Sequence, residues 1–378
     1  MRASAGNDVN CPPSRYEAEI SIFGPGIGEC IVIHLGKNAW MVVDSCLDRN
    51  TRIPIALQYL QALGVNAATD VKLFVITHWH DDHIEGASAI LASCHNAKFV
   101  CSDALRCGEF VQFVSLYSQR GFIENSGVDE FNRIFEVLKS RRGYIRPELL
   151  EPGWAIADRR LLYYTKNDRP LNVEVYSLSP SDAAITLALR EIGQLLIPKV
   201  KTPKRRAIAQ RPNHVSVALW VIVGDLHVLL GSDLENHPDN RLGWQAVVLS
   251  RNRPRERALI IKVPHHGSSN AYCKEMWQEM VATNPIALLT PFASGVKPLP
   301  TETDIARIST HTPQIYCTGS PSGWRSPRRD SAVDKTIKEV VRTRRLVYGP
   351  MGHIRVRIPI KKGLDEPNIE LFNEAQSL

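Results

Sequence analysis

The chain has 378 residues, of which 44% are hydrophobic and 22% are charged. This length suits one large or two ordinary domains, and a chain of this size buries enough surface to form a core without disulfides. The composition excludes disordered, collagen-like and membrane-embedded proteins. The longest largely apolar stretch, Val215–Val223, is far shorter than the ~20 residues that a bilayer span needs. The first fifteen residues lack the apolar run of a signal peptide, so we expect a cytoplasmic protein.

The cysteines and the charges narrow the class of protein further. Eight cysteines are scattered without a C-x-x-C pair, which is typical of buried thiols rather than a zinc–thiolate site. The net charge is +7, and bases concentrate in two tracts, residues 199–211 and 325–362. The bases of the first tract, which contains no acid, are Lys199, Lys201, Lys204, Arg205, Arg206 and Arg211. Each tract is either a solvated segment or a surface for a polyanion.

The first part of the chain alternates predicted strands and helices. The elements are a hairpin of residues 29–34 and 39–44, a helix at 53–63, a strand at 71–77, a helix at 84–93 and a strand at 98–101. The strand at 71–77 is almost entirely apolar, which predicts burial on both faces. This alternation indicates a layered α/β fold.

The rest of the chain contains an interruption and then a second set of strands. Residues 104–168 have helical spacing at 104–118 and 129–140 and weak strand signals, which predicts a helical insertion over one rim of the sheet. The elements predicted after it are a strand at 171–178, a helix at 181–196, an exposed basic loop at 199–211, a hairpin of 215–223 and 226–231, strands at 258–263, 286–289 and 314–317, and a closing hairpin of 345–348 and 353–358. We interpret residues 1–378 as a single catalytic domain with these insertions.

The segment Thr77-His78-Trp79-His80-Asp81-Asp82-His83 carries the clearest chemical signal. It follows the buried strand directly. On extended backbone His78 and His80 point to the same side, and Asp82 and His83 can turn toward the same centre from the start of a helix. Imidazole and carboxylate groups are the usual ligands of Zn²⁺, Mn²⁺ and Fe²⁺ in proteins. The segment therefore predicts a metal site.

This H-x-H-x-D-H pattern resembles the signature of the metallo-β-lactamase fold superfamily. Two further segments are similar to that superfamily in the same order: Val42-Val43-Asp44 resembles its early strand with an orienting aspartate, and Leu230-Gly231-Ser232-Asp233 resembles the strand with its bridging aspartate. The resemblance implies a four-layer αββα metallo-β-lactamase sandwich, here with a helical insertion that has no counterpart in the family.

Two more segments resemble one branch of the superfamily, the ComEC-type nuclease domains of DNA-uptake proteins and their stand-alone relatives. Lys262-Val263-Pro264-His265-His266-Gly267-Ser268 is similar to the branch's H-H-G-S motif. Residues 23–29 resemble its opening D-V-G-Q-G-D motif, with Glu29 at the position of the last aspartate.

The resemblance implies two divalent metal ions, Zn²⁺ or Mn²⁺, and a set of residues for each. One ion would be held by His78, His80 and Asp233, with or without His214. The other would be held by Asp82, His83, Asp233 and either His265 or His266, of which His265 is favoured. Asp44 would orient the ligands.

One feature departs from the family pattern. The superfamily normally has a further histidine between H-x-H-x-D-H and the bridging aspartate. In this interval His95 is expected to be structural, whereas His214 is either a ligand or a group that contacts substrate or ligands. The other candidate catalytic residues besides Asp82 and His83 are open as well: Lys262 faces phosphate or solvent, and Ser268 bonds a substrate oxygen or caps the helix starting near Asn270.

The preferred interpretation is a metal-dependent phosphodiesterase, a nuclease that cleaves DNA with a hydroxide activated by two metal ions. The basic residues Lys199, Lys201, Lys204, Arg205 and Arg206 would bind the nucleic-acid backbone. Trp79 and Trp324 either stack on bases or pack in the core or rim. The alternatives are a phosphodiesterase for a small substrate such as a cyclic nucleotide or a phosphorylcholine-like group, a carboxylic-ester, thioester or β-lactam hydrolase, and an effector subunit with a structural metal site. We also expect control by a regulatory protein partner, because an unregulated nuclease would damage its own cell.

Overall fold

A computed structural model describes residues 8–24, 28–106, 127–141, 149–165, 172–196, 212–293, 298–321, 336, 349–360 and 366–378. Several sequence predictions lie outside these ranges: the basic loop 199–211, Trp324, the strand at 345–348 and residues 107–118 of the first predicted helix in the insertion. Over the described ranges, no helix has the length and apolar character needed to cross a lipid bilayer.

The first sheet is built mainly from the N-terminal half of the chain. Its strands are β1 (Glu17–Gly24), β2 (Cys30–His34), β3 (Trp40–Val43), β4 (Val71–Ile76), β5 (Lys98–Ser102), β6 (Gly153–Ala155), β14 (Gly352–Pro359) and β15 (Asn368–Phe372). In the described residues their order is β15-β14-β1-β2-β3-β4-β5-β6. Strands β3, β4, β5 and β6 are parallel to their neighbours in this series, and the other pairs are antiparallel.

The second sheet comes from the C-terminal half. Its strands are β7 (Arg159–Tyr164), β8 (Val173–Ser177), β9 (Leu219–Val223), β10 (Leu226–Leu230), β11 (Ala258–Lys262), β12 (Val281–Leu289), β13 (Ile315–Cys317) and β16 (Gln376–Ser377). Their order in the described residues is β16-β13-β12-β11-β10-β9-β8-β7, and β10 to β13 are parallel.

The described residues also form α-helices. They are α1 (Ile55–Ala62), α2 (Ala67–Asp70), α3 (Asp81–Ile84), α4 (Ala87–Ser93), α5 (Gly127–Ser140), α6 (Asp182–Leu196), α7 (Gly243–Leu249), α8 (Lys274–Met280) and α9 (Glu302–Ser309). Short 3₁₀ helices occupy Asp103–Leu105, Pro212–Val215, Pro264–Gly267 and Ser269–Ala271.

Three apolar layers hold these elements together. Alternate residues of the strands, such as Ile22 and Val75, pack between the sheets against Val221 and Leu288. The other face of the first sheet packs against α1, α4 and α5, and that of the second against α7, α8 and α9. Helix, sheet, sheet and helix therefore form successive layers, which confirms the predicted αββα class.

The segment 104–168 contains more than helices. It includes α5, which covers the predicted range 129–140 and starts two residues earlier, but also β6 and β7, which extend the first and the second sheet. Neither strand was predicted from the sequence. β6 has only three residues, and the apolar residues of β7 do not alternate regularly with polar ones. Strand β1 was not predicted either, although the alternation of Ile20 and Ile22 with Glu19 and Ser21 is a signal for it.

Candidate metal centre

The predicted metal residues meet at one edge of the sandwich, where parallel strands end. Asp44 follows β3, His78 follows β4, and Asp233 follows β10. Because the carboxyl ends of parallel strands lie at the same edge of a sheet, these residues come together although they are far apart in sequence. The two sheets are joined at this edge, since the amide of Val217 donates to the carbonyl of Thr77 at 3.0 Å.

Several residues at the ends of the strands have left-handed backbone conformations, which direct the chain toward the site. Asp44, Ser232, His265 and His266 have φ values of 58°, 46°, 45° and 54°. Such conformations cost non-glycine residues on the order of 1–3 kcal/mol each and persist only where the surroundings impose them. Here the amide of His265 donates to the carbonyl of Ser232 at 2.8 Å, which ties two of these turns together.

Four imidazoles surround one carboxylate oxygen, Oδ2 of Asp233. The Nε2 atoms of His83, His266, His78 and His265 lie 3.4, 3.8, 3.9 and 4.0 Å from it. Asp233 is 2% exposed. Its backbone amide donates a hydrogen bond to Oγ of Ser216 at 3.2 Å, which holds the residue in place. The bridging aspartate expected from the sequence is thus placed among histidines from both motifs.

These side chains form two groups that suit a metal ion. In the described residues, Glu29, His83, Asp233 and His266 bring four ligand atoms within 4.8 Å of one another, and His78, His80 and Asp233 bring three. Nε2 of His83, Nε2 of His266 and Oδ1 of Asp233 are buried and have no hydrogen-bond partner in the described part of the chain. Buried polar atoms without partners are costly, so this donor set fits a divalent cation such as Zn²⁺.

Hydrogen bonds fix the orientation of two of these imidazoles. Nδ1 of His83 donates to Oδ2 of Asp44 at 2.8 Å, and Asp44 also accepts bonds from the amide and the hydroxyl of Thr77. Nδ1 of His266 donates to the carbonyl oxygen of Thr290 at 3.0 Å. With the proton on Nδ1, each ring directs the lone pair of Nε2 toward the centre, as metal-binding histidines do.

A buried ion pair underlies the site and was not predicted. Nζ of Lys262 lies 2.7 Å from Oε2 of Glu29, which also accepts the hydroxyl of Thr290 at 2.7 Å. Both charged side chains are almost completely buried, so the alternative that Lys262 faces solvent is wrong. Glycine is required at position 28, because φ is +94° and a Cβ would lie 3.0 Å from the carbonyl oxygen of Asp82. Glu29 was recognised only as part of the opening motif, and nothing local marked it as a partner of Lys262.

The carboxylates and the burial act in opposite directions on the pKa values. Burial, with His83 and His80 nearby, holds the pKa of His78 well below its usual range, so its ring is a neutral ligand. Burial would lower the pKa of His83 too, but Asp233, Asp82 and Asp44 together raise it well above 6.5. The three carboxylates around His83 therefore stabilise a positive charge at this place in the site.

The remaining predicted residues lie at the rim or outside both groups. Oδ2 of Asp82 is 3.7 Å from Nε2 of His83, and Asp82 is in neither group among the described residues. His214, on the 3₁₀ helix Pro212–Val215, packs its ring against His237 at 5.2 Å and is likewise in neither group. Ser268 makes no side-chain cap to the 3₁₀ helix that follows, so the capping alternative is wrong.

Two further predicted residues, His95 and Trp79, lie in the described part of the chain. His95 is exposed beyond α4. Trp79 packs against the core between the first sheet and its helices. The basic residues of the loop 199–211 lie outside the described residues.

Residues 23–144 match the family model described as the metallo-β-lactamase superfamily. Among solved structures, the metallo-β-lactamase SMB-1 bound to 2-mercaptoethanesulfonate is 14% identical, with a TM-score of 0.29, over 62% of this chain and 70% of that one. Zn²⁺-bound PqqB from Methylobacterium extorquens is 11% identical, with a TM-score of 0.28, over 56% of this chain and 64% of that one. No curated protein matches the sequence. Over residues 23–144 the chain is thus similar to the metallo-β-lactamase superfamily, and its ligand groups fit a metal ion.

Proposed function

We propose that this protein is a metal-dependent phosphodiesterase of the ComEC-type branch and that its substrate is DNA. The observation that carries the proposal is the position of Asp233, whose carboxylate belongs to two ligand groups and lies among four imidazoles. A carboxylate shared in this way is suited to bridge two cations, and pairs of cations serve phosphate-ester hydrolysis.

Each proposed ion has its own residues. His78, His80 and Asp233 would hold one, and Glu29, His83, His266 and Asp233 the other. When bound, Zn²⁺ or Mn²⁺ supplies the Lewis acidity that activates water near neutral pH and neutralises charge on the phosphate. Asp44 keeps the proton of His83 on Nδ1, and Lys262 offsets the charge of Glu29.

Residues at the rim would contact the substrate. The side chain of Asp82 is 14% exposed beside His83, so it faces the entrance rather than the core. We retain Ser268 as a candidate for a hydrogen bond to a substrate oxygen, because its amide donates to the carbonyl of His265 at 2.9 Å and this bond holds it next to the histidine pair.

The nucleic-acid part of the proposal is based on charge and chain adjacency. The basic segment 199–211 precedes Pro212–Val215 directly, and in that 3₁₀ helix Nδ2 of Asn213 lies 3.5 Å from Nε2 of His265. In sequence, Asn213 follows Lys199, Lys201, Lys204, Arg205 and Arg206 by 7 to 14 residues. Contacts of such bases with phosphates give binding that is sequence-independent and sensitive to salt.

The test is a cleavage assay on plasmid DNA, linear DNA, RNA and bis-p-nitrophenyl phosphate, with Zn²⁺, Mn²⁺ or a chelator. We expect DNA cleavage that requires metal, that falls at least ~100-fold in Asp233→Asn, and that is lost in the double variant Asp82→Ala, His83→Ala. The variant His227→Gln, which changes a histidine outside both groups, is the matched control and should keep wild-type activity. Undiminished cleavage by the Asp82, His83 double variant would contradict the assignment of that pair.

A second candidate is hydrolysis of a small phosphodiester. It is favoured by the position of α5, because the amide of Gly127 at its start donates to Oδ1 of Asp81 in the metal-binding loop at 2.6 Å. Helix α5 thus begins beside the site, where it would hinder access of a polymer. Cleavage of bis-p-nitrophenyl phosphate without cleavage of any nucleic acid would select this candidate. Control by a protein partner remains part of the proposal, and full nuclease activity of the isolated chain in a healthy expression host would oppose it.

A further inference from the structure

Neighbouring side chains on a strand point to opposite sides, but those of the adjacent histidines after β11 point to the same side. His265 and His266 have left-handed φ, ψ angles of 45°, 53° and 54°, 23°. As a result both Nε2 atoms approach Oδ2 of Asp233, at 4.0 and 3.8 Å. Strained backbone is found mainly at functional positions, so we expect each of the two imidazoles to have its own role at the carboxylate.

His265 has its own supporting side chains. Its Nδ1 lies 3.2 Å from Oε1 of Glu235 and 3.1 Å from Oδ1 of Asn270. Oε1 of Glu235 also accepts Nδ2 of Asn213 at 2.8 Å, so Glu235 is itself held in place. A carboxylate and an amide oxygen at Nδ1 keep the proton there and leave the lone pair of Nε2 facing Asp233. His266 is oriented in the same way by the carbonyl of Thr290.

The two ligand groups are unequal without His265. In the described residues, the group of Glu29, His83 and His266 has three side chains of its own besides Asp233, whereas the group of His78 and His80 has two. Catalytic zinc sites usually provide three protein ligands, and the group of His78 and His80 reaches three only by sharing Asp233 with the other ion. His214, at the position where the superfamily was expected to supply a further histidine, packs against His237. Among the described residues both His214 and His265 are outside the two groups, but Nε2 of His265 lies 4.0 Å from Oδ2 of Asp233.

We propose that the adjacent histidines serve different ions: His265 binds the ion of His78 and His80, and His266 binds the ion of His83. Glu235 is the positioning residue that orients His265. The imidazole of His265 would then take the place of the further histidine that the superfamily normally has between the H-x-H-x-D-H motif and the bridging aspartate. This inference rests on the two-ion site of the proposed function.

The test measures metal binding rather than activity. Purified variants are loaded with Zn²⁺ alone, dialysed, and analysed for bound zinc by atomic emission and for affinity by calorimetry, with circular dichroism to confirm folding. We expect two zinc ions in the wild type, one in His265→Ala and one in His266→Ala. His214→Ala is the matched control, because it removes an imidazole from the same rim, and it should retain two. Glu235→Gln should retain two ions, one of them bound about 10–100-fold more weakly.

Double variants identify which ion His265 binds. His265→Ala combined with His78→Ala should still bind one ion, because both changes affect the same site. His265→Ala combined with His83→Ala should bind none. Two ions of unchanged affinity in His265→Ala, or loss of an ion in His214→Ala, would overturn the proposal. If His265→Ala does not fold, wild-type affinity for both ions in folded Glu235→Gln would overturn it.

The two proposals fail in different ways. The zinc measurements do not depend on any substrate. The expected zinc pattern without phosphodiester cleavage would refute the proposed function alone. Phosphodiester cleavage together with zinc contents that differ from those expected for the His265 variants would refute only the role of His265.

Discussion

The buried pair of Lys262 and Glu29 gives the sharpest prediction about stability. The substitution Lys262→Met keeps most of the side-chain volume and removes the charge. It leaves the carboxylate of Glu29, which is 1% exposed, with the hydroxyl of Thr290 as its remaining close donor. Breaking a buried ion pair by removing one partner costs about 3–5 kcal/mol, because the remaining charge is neither solvated nor paired. We therefore expect the metal-free protein to lose about 3–5 kcal/mol of unfolding free energy.

The measurement is urea unfolding in the presence of a chelator, followed by tryptophan fluorescence and circular dichroism. The double variant Glu29→Gln, Lys262→Met should recover at least half of the loss, since it removes the orphaned charge. Arg52→Met is the matched control: Arg52 pairs with Glu85, their side chains are 59% and 41% exposed, and such exposed pairs contribute less than about 1 kcal/mol. A loss below about 1 kcal/mol in Lys262→Met, or a double variant as unstable as the single one, would refute the reasoning.

Three further predictions concern the metal, the pH and a helix cap. Asp44→Asn should weaken binding of Zn²⁺ about 10–100-fold in calorimetry, because it disturbs the bond that orients His83, and unchanged affinity would contradict that role. Burial, together with nearby arginines, lowers the pKa of His353 from 6.5 to about 3, so the stability it supports is present above pH 6.5 and lost as the pH falls toward 3. At ~1.4 kcal/mol per pH unit, the free energy of unfolding of the wild type should fall by about 2 kcal/mol relative to that of His353→Phe between pH 7 and pH 5. Urea unfolding of both proteins at each pH measures this, and an equal change in the two would contradict the lowered pKa of His353. Thr301→Ala should cost about 1 kcal/mol in thermal or urea unfolding, because Thr301 and Asp304 form a capping box at the start of α9, and a neutral effect would argue against that cap.

The sequence predicted the layers because their signals are local. The apolar strand at 71–77, the hairpin of 29–34 and 39–44 and the helix at 181–196 match β4, the pair β2–β3 and α6 within a few residues. Apolar periodicity is a property of consecutive residues, so no knowledge of the partner strand was needed. Strands as short as β6 carry too few residues to show a period, and their existence depends on the neighbouring strand.

The metal residues were predictable to the extent that one motif contains them. His78, His80 and His83 follow a single strand, and Asp233 was found through a second strand in the same family order. From the sequence His265 was favoured over His266 for the ion of His83, but among the described residues the group of His83 contains His266. The sequence is a poor guide here because the direction of each ring depends on two left-handed residues. It also did not predict Glu235, whose role follows from a contact with a ring in another segment.

The sequence by itself determined the layered fold, the metal-binding loop after β4 and the order of the motifs. Only the tertiary structure decided which carboxylates share the site, that Glu29 pairs with Lys262, and that Oδ2 of Asp233 lies among four imidazoles. The physical reason is that these contacts join the ends of strands in two different sheets. Their distances are set by the packing of the sandwich, which no short stretch of sequence encodes.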